Sequence, residues 1–425
     1  MRDKPTVHLR DRRFQSTLVV LLVWVIISLL QWFQMHWLVV WLAGVLALQS
    51  LRMLLAKARN FGILENGDLP KVSVLVPAKN ESAVLSSLVA NLFALDYSFP
   101  LDIWIIDDGS TDTTPEILEQ LQNQFPRLQV HQRLSKGGKS GALNAVLPFI
   151  EGEIILICDA DAQLSEDFLR KTIPLFNREN TRKNIGAVQA GKTISNRDSN
   201  FLTQCQQMEM NCDRILQTQR IAAGGMAELR GNGMLVRRDL LAEFHGWNED
   251  TLTDDLDLTF QLYLASTEIA FVTTTEVKEE GVKTWKELWY QRCRWAEGGF
   301  QRYLDYFPQI YTLGWVKEID LILFFLLQFL LPIGLIPDLL WTIFYSHKSV
   351  LFPLQSLLGL ILTVAFMSGI YQFQNLRGTR LIWATIQGSF YMLHWIPVMI
   401  FSIYKLCIQR QKLHWHKSEH SGVRS

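Results

Sequence analysis

The chain is short of cysteine, net charge and nucleotide-binding glycine signatures. Its 5 Cys include no Cys-x-x-Cys pair and no Cys/His spacing of a metal site, which argues against a zinc module or a disulfide scaffold. An odd, scattered set suits a reducing compartment, and Cys158 and Cys293 read as packed thiols. Lys and Arg number 41 against 41 Asp and Glu, so no global charge draws the chain toward nucleic acid. A Walker loop needs Gly-x-x-x-x-Gly-Lys-Ser/Thr, and Lys136-Gly137-Gly138-Lys139-Ser140-Gly141 does not have that spacing. No Gly-x-Gly-x-x-Gly follows the first strand, which disfavours a dinucleotide cofactor. Internal repeats and low-complexity tracts are also missing.

What is present is unevenly spread over the 425 residues, with apolar residues crowding both ends and charge the middle. Leu18 to Phe33 and Trp37 to Leu55 are almost wholly apolar, each near the ~20 residues needed to cross a bilayer core. Gln34-Met35-His36 separates them as the turn of a tight helical hairpin. A cleaved signal peptide is disfavoured, because no small-residue cleavage site follows the first run and a second run does. Arg2, Lys4, Arg10, Arg12 and Arg13 precede the hairpin, and Arg52, Lys57 and Arg59 close it. Basic flanks place both ends of the hairpin in the cytoplasm. Three more apolar runs, Ile319 to Tyr345, Leu351 to Phe373 and Leu381 to Cys407, precede a basic tail. Three crossings would put that tail outside, against the positive-inside rule. The first run, interrupted by Pro332 and Pro337, and the last, with Gln387, His394 and Pro397, are the candidates for re-entry. Many of the 14 Trp flank these runs, as interfacial belts do.

Between the apolar ends, Asn66-Gly67-Asp68-Leu69-Pro70 reads as a linker. Strands are expected at Val72 to Val76, Ile103 to Ile106, Ile154 to Ile157, Gly186 to Ala190 and Ala270 to Val277. Helices are expected at Ser82 to Leu95, Thr114 to Phe125, from Ala142, from Asn200 to about Arg220, from Thr253 through Leu264, and at Thr284 to Asp305. Alternating strand and helix imply a parallel sheet covered on both faces.

Polar groups collect where such strands end, which is where open α/β sheets bind ligands. Asp107-Asp108-Gly109-Ser110 can accept hydrogen bonds from a uracil ring or a ribose, although alone it is more often a turn. Asp159-Ala160-Asp161 follows a short buried strand, and two carboxylates there suit a hard divalent cation that would hold a diphosphate. An isolated Asp-x-Asp is more often a loop start and a cap. Lys139, where a loop enters a helix, suits phosphate, with a solvated lysine as the bland alternative. Thr253-Asp254-Asp255 offers a carboxylate kept ionised at a helix N-terminus, as a general base needs; Asp254 reads as a cap. Gln291, Arg294 and Trp295 stand at i, i+3 and i+4 and share a helix face. They can grip a diphosphate, or the helix can rest on a membrane surface. Asp338 in an apolar run is costly unless satisfied, and beside Pro337 it reads as a cap after a break.

The specificity lies in the order of the blocks. Pro77-Ala78-Lys79-Asn80-Glu81, Asp107 to Asp112, Lys139 to Asn144, Asp159-Ala160-Asp161, Thr253-Asp254-Asp255 and Gln291-Arg292-Cys293-Arg294-Trp295 together resemble the membrane-bound family 2 glycosyltransferases. The resemblance covers roughly Lys71 to Tyr306. It implies a GT-A fold, an α/β nucleotide-sugar-binding domain with a mostly parallel sheet and helices on both faces, set between N- and C-terminal transmembrane helices. It implies contacts of Pro77, Glu81, Asp107 and Asp108 with the nucleotide, and of Lys139 with its phosphates. Asp159 and Asp161 would hold nucleotide and metal, Mg2+ with Mn2+ as the other candidate. Asp255 would be the catalytic base, and Gln291, Arg294 and Trp295 the diphosphate and acceptor motif. Asp254 stands where the family usually has Glu.

Glu279-Glu280-Gly281-Val282, Arg294 to Tyr306 and the tail Leu413-His414-Trp415-His416-Lys417 are similar to one subgroup, the cyanobacterial β-monoglucosyldiacylglycerol synthases. That implies an inverting transfer of glucose from UDP-glucose to 1,2-diacylglycerol taken from the bilayer, with no nucleic-acid partner. The helices after the catalytic part are few and short on polar lining, which favours a lipid acceptor over a processive polysaccharide synthase. A polyprenyl-phosphate glycosyltransferase usually lacks the Gln-x-x-Arg-Trp helix. The expected parts are a basic tail (1–15), a transmembrane hairpin (16–58), the glycosyltransferase domain (68–310), C-terminal transmembrane or interfacial helices (316–408) and a second basic tail (409–425). The catalytic domain would face the cytoplasm.

Overall fold

The computed structural model describes residues 11–57, 69–134, 136–177 and 183–409. The linker residues 66–68, most of the basic N-terminal segment and the Leu413 to Lys417 block lie outside them. The chain forms two compact units, one comprising 69–210 and 227–287 and the other 11–57, 211–226 and 288–409 among the described residues.

The first unit is built on one eight-stranded sheet. Its strands are β1 (Val72–Ala78), β2 (Asp102–Asp107), β3 (Leu128–Gln132), β4 (Ile154–Ile157), β5 (Gln163–Leu164), β6 (Ile185–Ile194), β7 (Met234–Arg237) and β8 (Glu268–Glu279). They lie in the order β3-β2-β1-β4-β7-β6-β8-β5. Strands β3, β2, β1 and β4 run parallel, and β1, β2 and β4 are the apolar runs that burial on both faces requires. All seven residues of β1 and all four of β4 are buried. Helices Leu85–Phe93 and Thr114–Gln124 turn Leu85, Leu88, Leu92, Leu118 and Leu121 into the core. Pro115 opens the second of these, where a missing N–H costs nothing.

The sheet is mostly parallel, as expected, with β7 antiparallel to both β4 and β6. Strand β5 is antiparallel to β8. The reversal has a consequence for the site. An antiparallel partner begins where its neighbour ends, so Met234 pairs with Ile157. The Gly231-Asn232-Gly233 turn is thereby delivered beside the end of β4, and Gly233 N donates to Ile157 O at 3.0 Å.

In the second unit, five helical stretches are long and apolar enough to cross a membrane: Arg13–Trp32, His36–Leu55, Trp315–Tyr345, Phe352–Gln374 and Gly378–Ile408. Pro332 and Pro337 do not break the third. It passes through a π turn at Leu326–Leu330 and continues as helix Leu331–Tyr345. A wider turn beside a proline absorbs the lost hydrogen bond. The fifth carries a 3-10 turn at Met392–His394.

Asp338 is not a cap of its own helix. Its carboxylate accepts from Gln31 Nε2 (2.5 Å), Ser349 Oγ (2.5 Å) and Val350 N (3.0 Å). One buried acid thus ties the hairpin to the head of helix Phe352–Gln374, and its cost in apolar surroundings is offset by three donors.

Candidate active site

The sequence-predicted residues of the first unit gather at the carboxyl ends of β1, β2 and β4. Ala78 pairs with Asp107 across β1 and β2, and Asp108 N donates to Ala78 O at 2.8 Å. The two loops that follow are stitched together. Asn80 N donates to Ser110 Oγ (2.8 Å), Thr111 N to Asn80 Oδ1 (2.7 Å) and Glu81 N to Thr114 Oγ1 (2.8 Å). Asp107 Oδ1 accepts from Ser110 N at 3.0 Å and so closes its own turn, which needs a positive φ of 72° at Gly109. Asp108 is buried, with the Arg133 guanidinium 3.4 Å from its Oδ1. Pro77 and Glu81 therefore belong to one fixed wall with Asp107 and Asp108.

Lys139 and Asp159 meet directly, Nζ donating to Oδ1 at 2.5 Å. Lys139 enters this contact from the first turn of helix Gly138–Val146, whose cap residue Gly137 is left-handed. Burial alone would pull the lysine's pKa down; Asp159, Asp254 and Asp255 together push it up, so it stays charged. Asp159 is set by its own backbone, N donating to Asn232 Oδ1 at 3.1 Å. Asp161 accepts from Glu280 N at 2.6 Å. That glutamate's neighbours are clamped by amides. Asn196 bonds Gly281 through N and O, both at 2.8 Å, and Gln206 bonds Val282 at 3.1 and 2.8 Å.

Asp255 and Lys139 flank one glycine. A Cβ on Gly231 would lie 3.3 Å from Asp255 Oδ2 and 3.6 Å from Lys139 Nζ, and its φ is +79°. The turn is held from below by Gln189, fully buried, which donates to Asn232 O (2.9 Å) and accepts from Arg230 N (2.7 Å). Gly231→Ala is expected to fold and bind donor, but to lose roughly tenfold in turnover, because left-handed strain of about 1–3 kcal/mol falls on the loop beside the base. Unchanged kcat in steady-state transfer would count against that role of the turn.

The cap reading of Asp254 needs correction, because Asp254 is the helix's first residue and Thr253 its cap position. Helix Asp254–Leu264 starts where expected, but Thr253 makes no side-chain cap bond. Asp254 Oδ2 is sealed from solvent with no hydrogen-bond partner among the described residues. Burial pushes the Asp254 carboxyl up to about 6, with Asp255 and Asp159 adding to the rise and Lys139 opposing it. Asp255 keeps Oδ2 beside Lys139, while its Oδ1 accepts from Leu256 N at 2.8 Å.

Gln291, Arg294 and Trp295 lie in the second unit, half-buried on helix Trp285–Ile310. Arg292, between them, stacks 4.0 Å from the Trp295 ring. Sequence reasoning missed Gln189, Asn196, Gln206 and Asn232; the only signal was amides in otherwise apolar or glycine-rich stretches.

The donor chemistry fits a divalent cation that also holds phosphates. Asp159 and Asp161 offer hard oxygen ligands, and the Lys139 ammonium already rests on Asp159. Among the described residues no cluster of three or more His, Cys, Asp or Glu side chains could hold a metal alone. Magnesium is commonly held by one or two carboxylates with substrate phosphates supplying the rest.

A parallel α/β half-sheet with acids at its strand ends and a lysine on Asp159 is a ligand-binding arrangement of open α/β sheets. The chain belongs to the family 2 glycosyltransferases: the model for "Glycosyltransferase like family 2" matches residues 70–298. Within the family it is 42% identical to a β-monoglucosyldiacylglycerol synthase of Nostoc sp. over 97% of this chain and 90% of that one. It is 41% identical to the enzyme of the same name from Synechocystis sp., over 97% and 89%. A mannosyltransferase from Pyrobaculum calidifontis, solved with GDP-mannose and Mn2+, shares the fold at 18% identity, with a TM-score of 0.55 over 91% of this chain and 99% of that one.

Proposed function

We propose that the chain transfers glucose from UDP-glucose to the free hydroxyl of 1,2-diacylglycerol, with inversion, giving β-monoglucosyldiacylglycerol. The observation that carries this is likeness over nearly the whole chain to enzymes named for that product, at 42% identity. Pro77, Glu81, Asp107 and Asp108 hold the uridine. By the family's pattern, the diphosphate is the role of Lys139, Gln291 and Arg294, and the acceptor that of Trp295. Asp159 and Asp161 would hold a divalent cation, Mg2+ with Mn2+ as the other candidate, which would supply positive charge to the diphosphate. Asp255 takes the proton of the acceptor hydroxyl as that oxygen bonds the anomeric carbon. The bond from that carbon to the diphosphate oxygen breaks, and UDP leaves. One displacement on an α-linked donor gives a β-linked product. The apolar helices cross the membrane, with the catalytic unit on the cytoplasmic side, as the basic flanks of the hairpin favour.

The test is transfer by the purified protein in detergent micelles with diacylglycerol, Mg2+ and radiolabelled UDP-glucose, resolved on a thin-layer plate. A single glycolipid cleaved by β-glucosidase is expected. Label remaining at the origin as polymer would overturn the acceptor and make the enzyme a polysaccharide synthase. Asp161→Ala is expected to raise the KM for UDP-glucose roughly tenfold or more, the scale of a lost charge-assisted contact. Its metal titration should also shift to higher concentration. An unaltered metal requirement would place the metal elsewhere.

A further inference from the structure

Helix Trp285–Ile310 has two faces. Phe300, Tyr303 and Phe307 pack on Phe325, with ring centroids at 6.0, 4.6 and 6.4 Å, and Gly299 admits Phe329. The opposite face carries Gln291, Arg294, Gly298, Gln301 and Asp305, at helical steps of three and four. Gln301 is 1% exposed, yet neither its Nε2 nor its Oε1 has a hydrogen-bond partner among the described residues. A buried amide with both ends unmet costs several kcal/mol unless something bonds it.

A second observation lies beside it. One turn further on, Asp305 accepts from Arg12 Nε (2.9 Å) and Nη2 (2.6 Å). That pair brings the start of helix Arg13–Trp32 to the same face. Gln15, one turn along that helix from Arg12, has a buried Oε1 that is also without a partner among the described residues. The place therefore lacks one acceptor, for Gln301 Nε2, and donors for the two amide oxygens. It sits ~10 Å along the helix from Arg294 (seven residues at 1.5 Å each), and Gly298 puts no side chain between them.

We propose that Gln301 recognises the acceptor lipid, its Nε2 donating to an ester carbonyl of the diacylglycerol while water meets the amide oxygens of Gln301 and Gln15. The inference rests on the acceptor reading above and names the residue that carries it. An ester carbonyl supplies the missing acceptor, in a unit built of apolar helices, and leaves the lipid's one free hydroxyl for the transfer. Water alone would satisfy the same atoms, but would not distinguish an ester from an ether.

The experiment uses the full chain in mixed micelles. KM is measured for a diacylglycerol and for the dialkylglycerol ether of the same chain lengths, in wild type and in Gln301→Met, which keeps the volume. One neutral hydrogen bond of about 1–1.5 kcal/mol is about a tenfold effect. The wild type should prefer the ester about tenfold, and Gln301→Met should reduce that ratio to about one by raising the ester's KM. The KM for UDP-glucose should hold. Equal losses on ester and ether, or no change on either, would overturn the proposal. Thermal melts separate it from the function: diacylglycerol should stabilise the wild type and not Gln301→Met. Stabilisation without transfer would sink the proposed function and keep this site; no stabilisation of the wild type would sink the site. Gln301→Met should melt no lower than wild type without lipid, because it removes an unmet amide, and a large drop would mean that Gln301 serves packing instead.

Discussion

Asp255→Asn is expected to reduce glucose transfer by about 10²–10⁴, the range general-base catalysis supplies, while the KM for UDP-glucose stays within a fewfold. The amide keeps the size and the bond that Leu256 N now makes to Asp255 Oδ1 at 2.8 Å. It loses only the capacity to take a proton. Asp254 is the obvious rival, one residue earlier on the same helix. Its Oδ2 is sealed, however, which leaves only Oδ1 to meet an acceptor hydroxyl. Asp255 Oδ2 instead stands at the Gly231 turn beside Lys139. Asp254→Asn should therefore keep turnover within about tenfold of wild type. Parallel assays of the two variants decide the matter, with donor binding read by titration of UDP. Near-normal transfer by Asp255→Asn, or a deeper loss in Asp254→Asn, would move the base off Asp255.

How far this site could be read from sequence depends on what kind of contact makes it. The acids announce themselves because each follows a short apolar run, and strand ends in open α/β sheets are where ligands bind. Lys139 stood out as a cation at a helix start. What stayed hidden was pairing across the sheet. Nothing in Met234 to Arg237 says that it runs against its neighbours, so the Gly231-Asn232-Gly233 turn could not be set beside Asp159 before β7 was seen antiparallel to β4. The amides Gln189 and Asn232 were illegible for the same reason: their partners lie 41 and 73 residues away. Strand β3 was missed because Leu128–Gln132 has an edge strand's half-exposed pattern. Pro332 and Pro337 read as breaks, since a proline removes a helical donor; a π turn takes up the difference, which only coordinates reveal.

Asp320→Ala is expected to destabilise the second unit by about 3–5 kcal/mol, the cost of leaving a buried charge without its partner. Arg220 and Asp320 are 1% and 3% exposed. Their contact is forked, Nη2 donating to Oδ2 at 2.8 Å and Nε at 3.1 Å, and the guanidinium lies 3.8 Å from the Phe324 ring. The same Oδ2 accepts from Met226 N at 3.1 Å. Asp320 thus holds both the end of helix Phe201–Ala222 and the turn that follows, where a Cβ on Gly225 would come within 2.9 Å of its carboxylate. The two roles can be separated. Replacing the pair together, Arg220→Met with Asp320→Leu, removes both charges and restores apolar packing, so most of the loss should return. It should not return in full, because Met226 N then has no acceptor, at about 1–3 kcal/mol. Denaturant titrations in detergent of the Asp320→Ala variant and the double variant give the two numbers. A double variant as unstable as the Asp320→Ala variant would show that the backbone bond, not the ion pair, carries the effect. An Asp320→Ala variant within about 1 kcal/mol of wild type, the scale of a surface pair, would show that the pair is wet despite its burial.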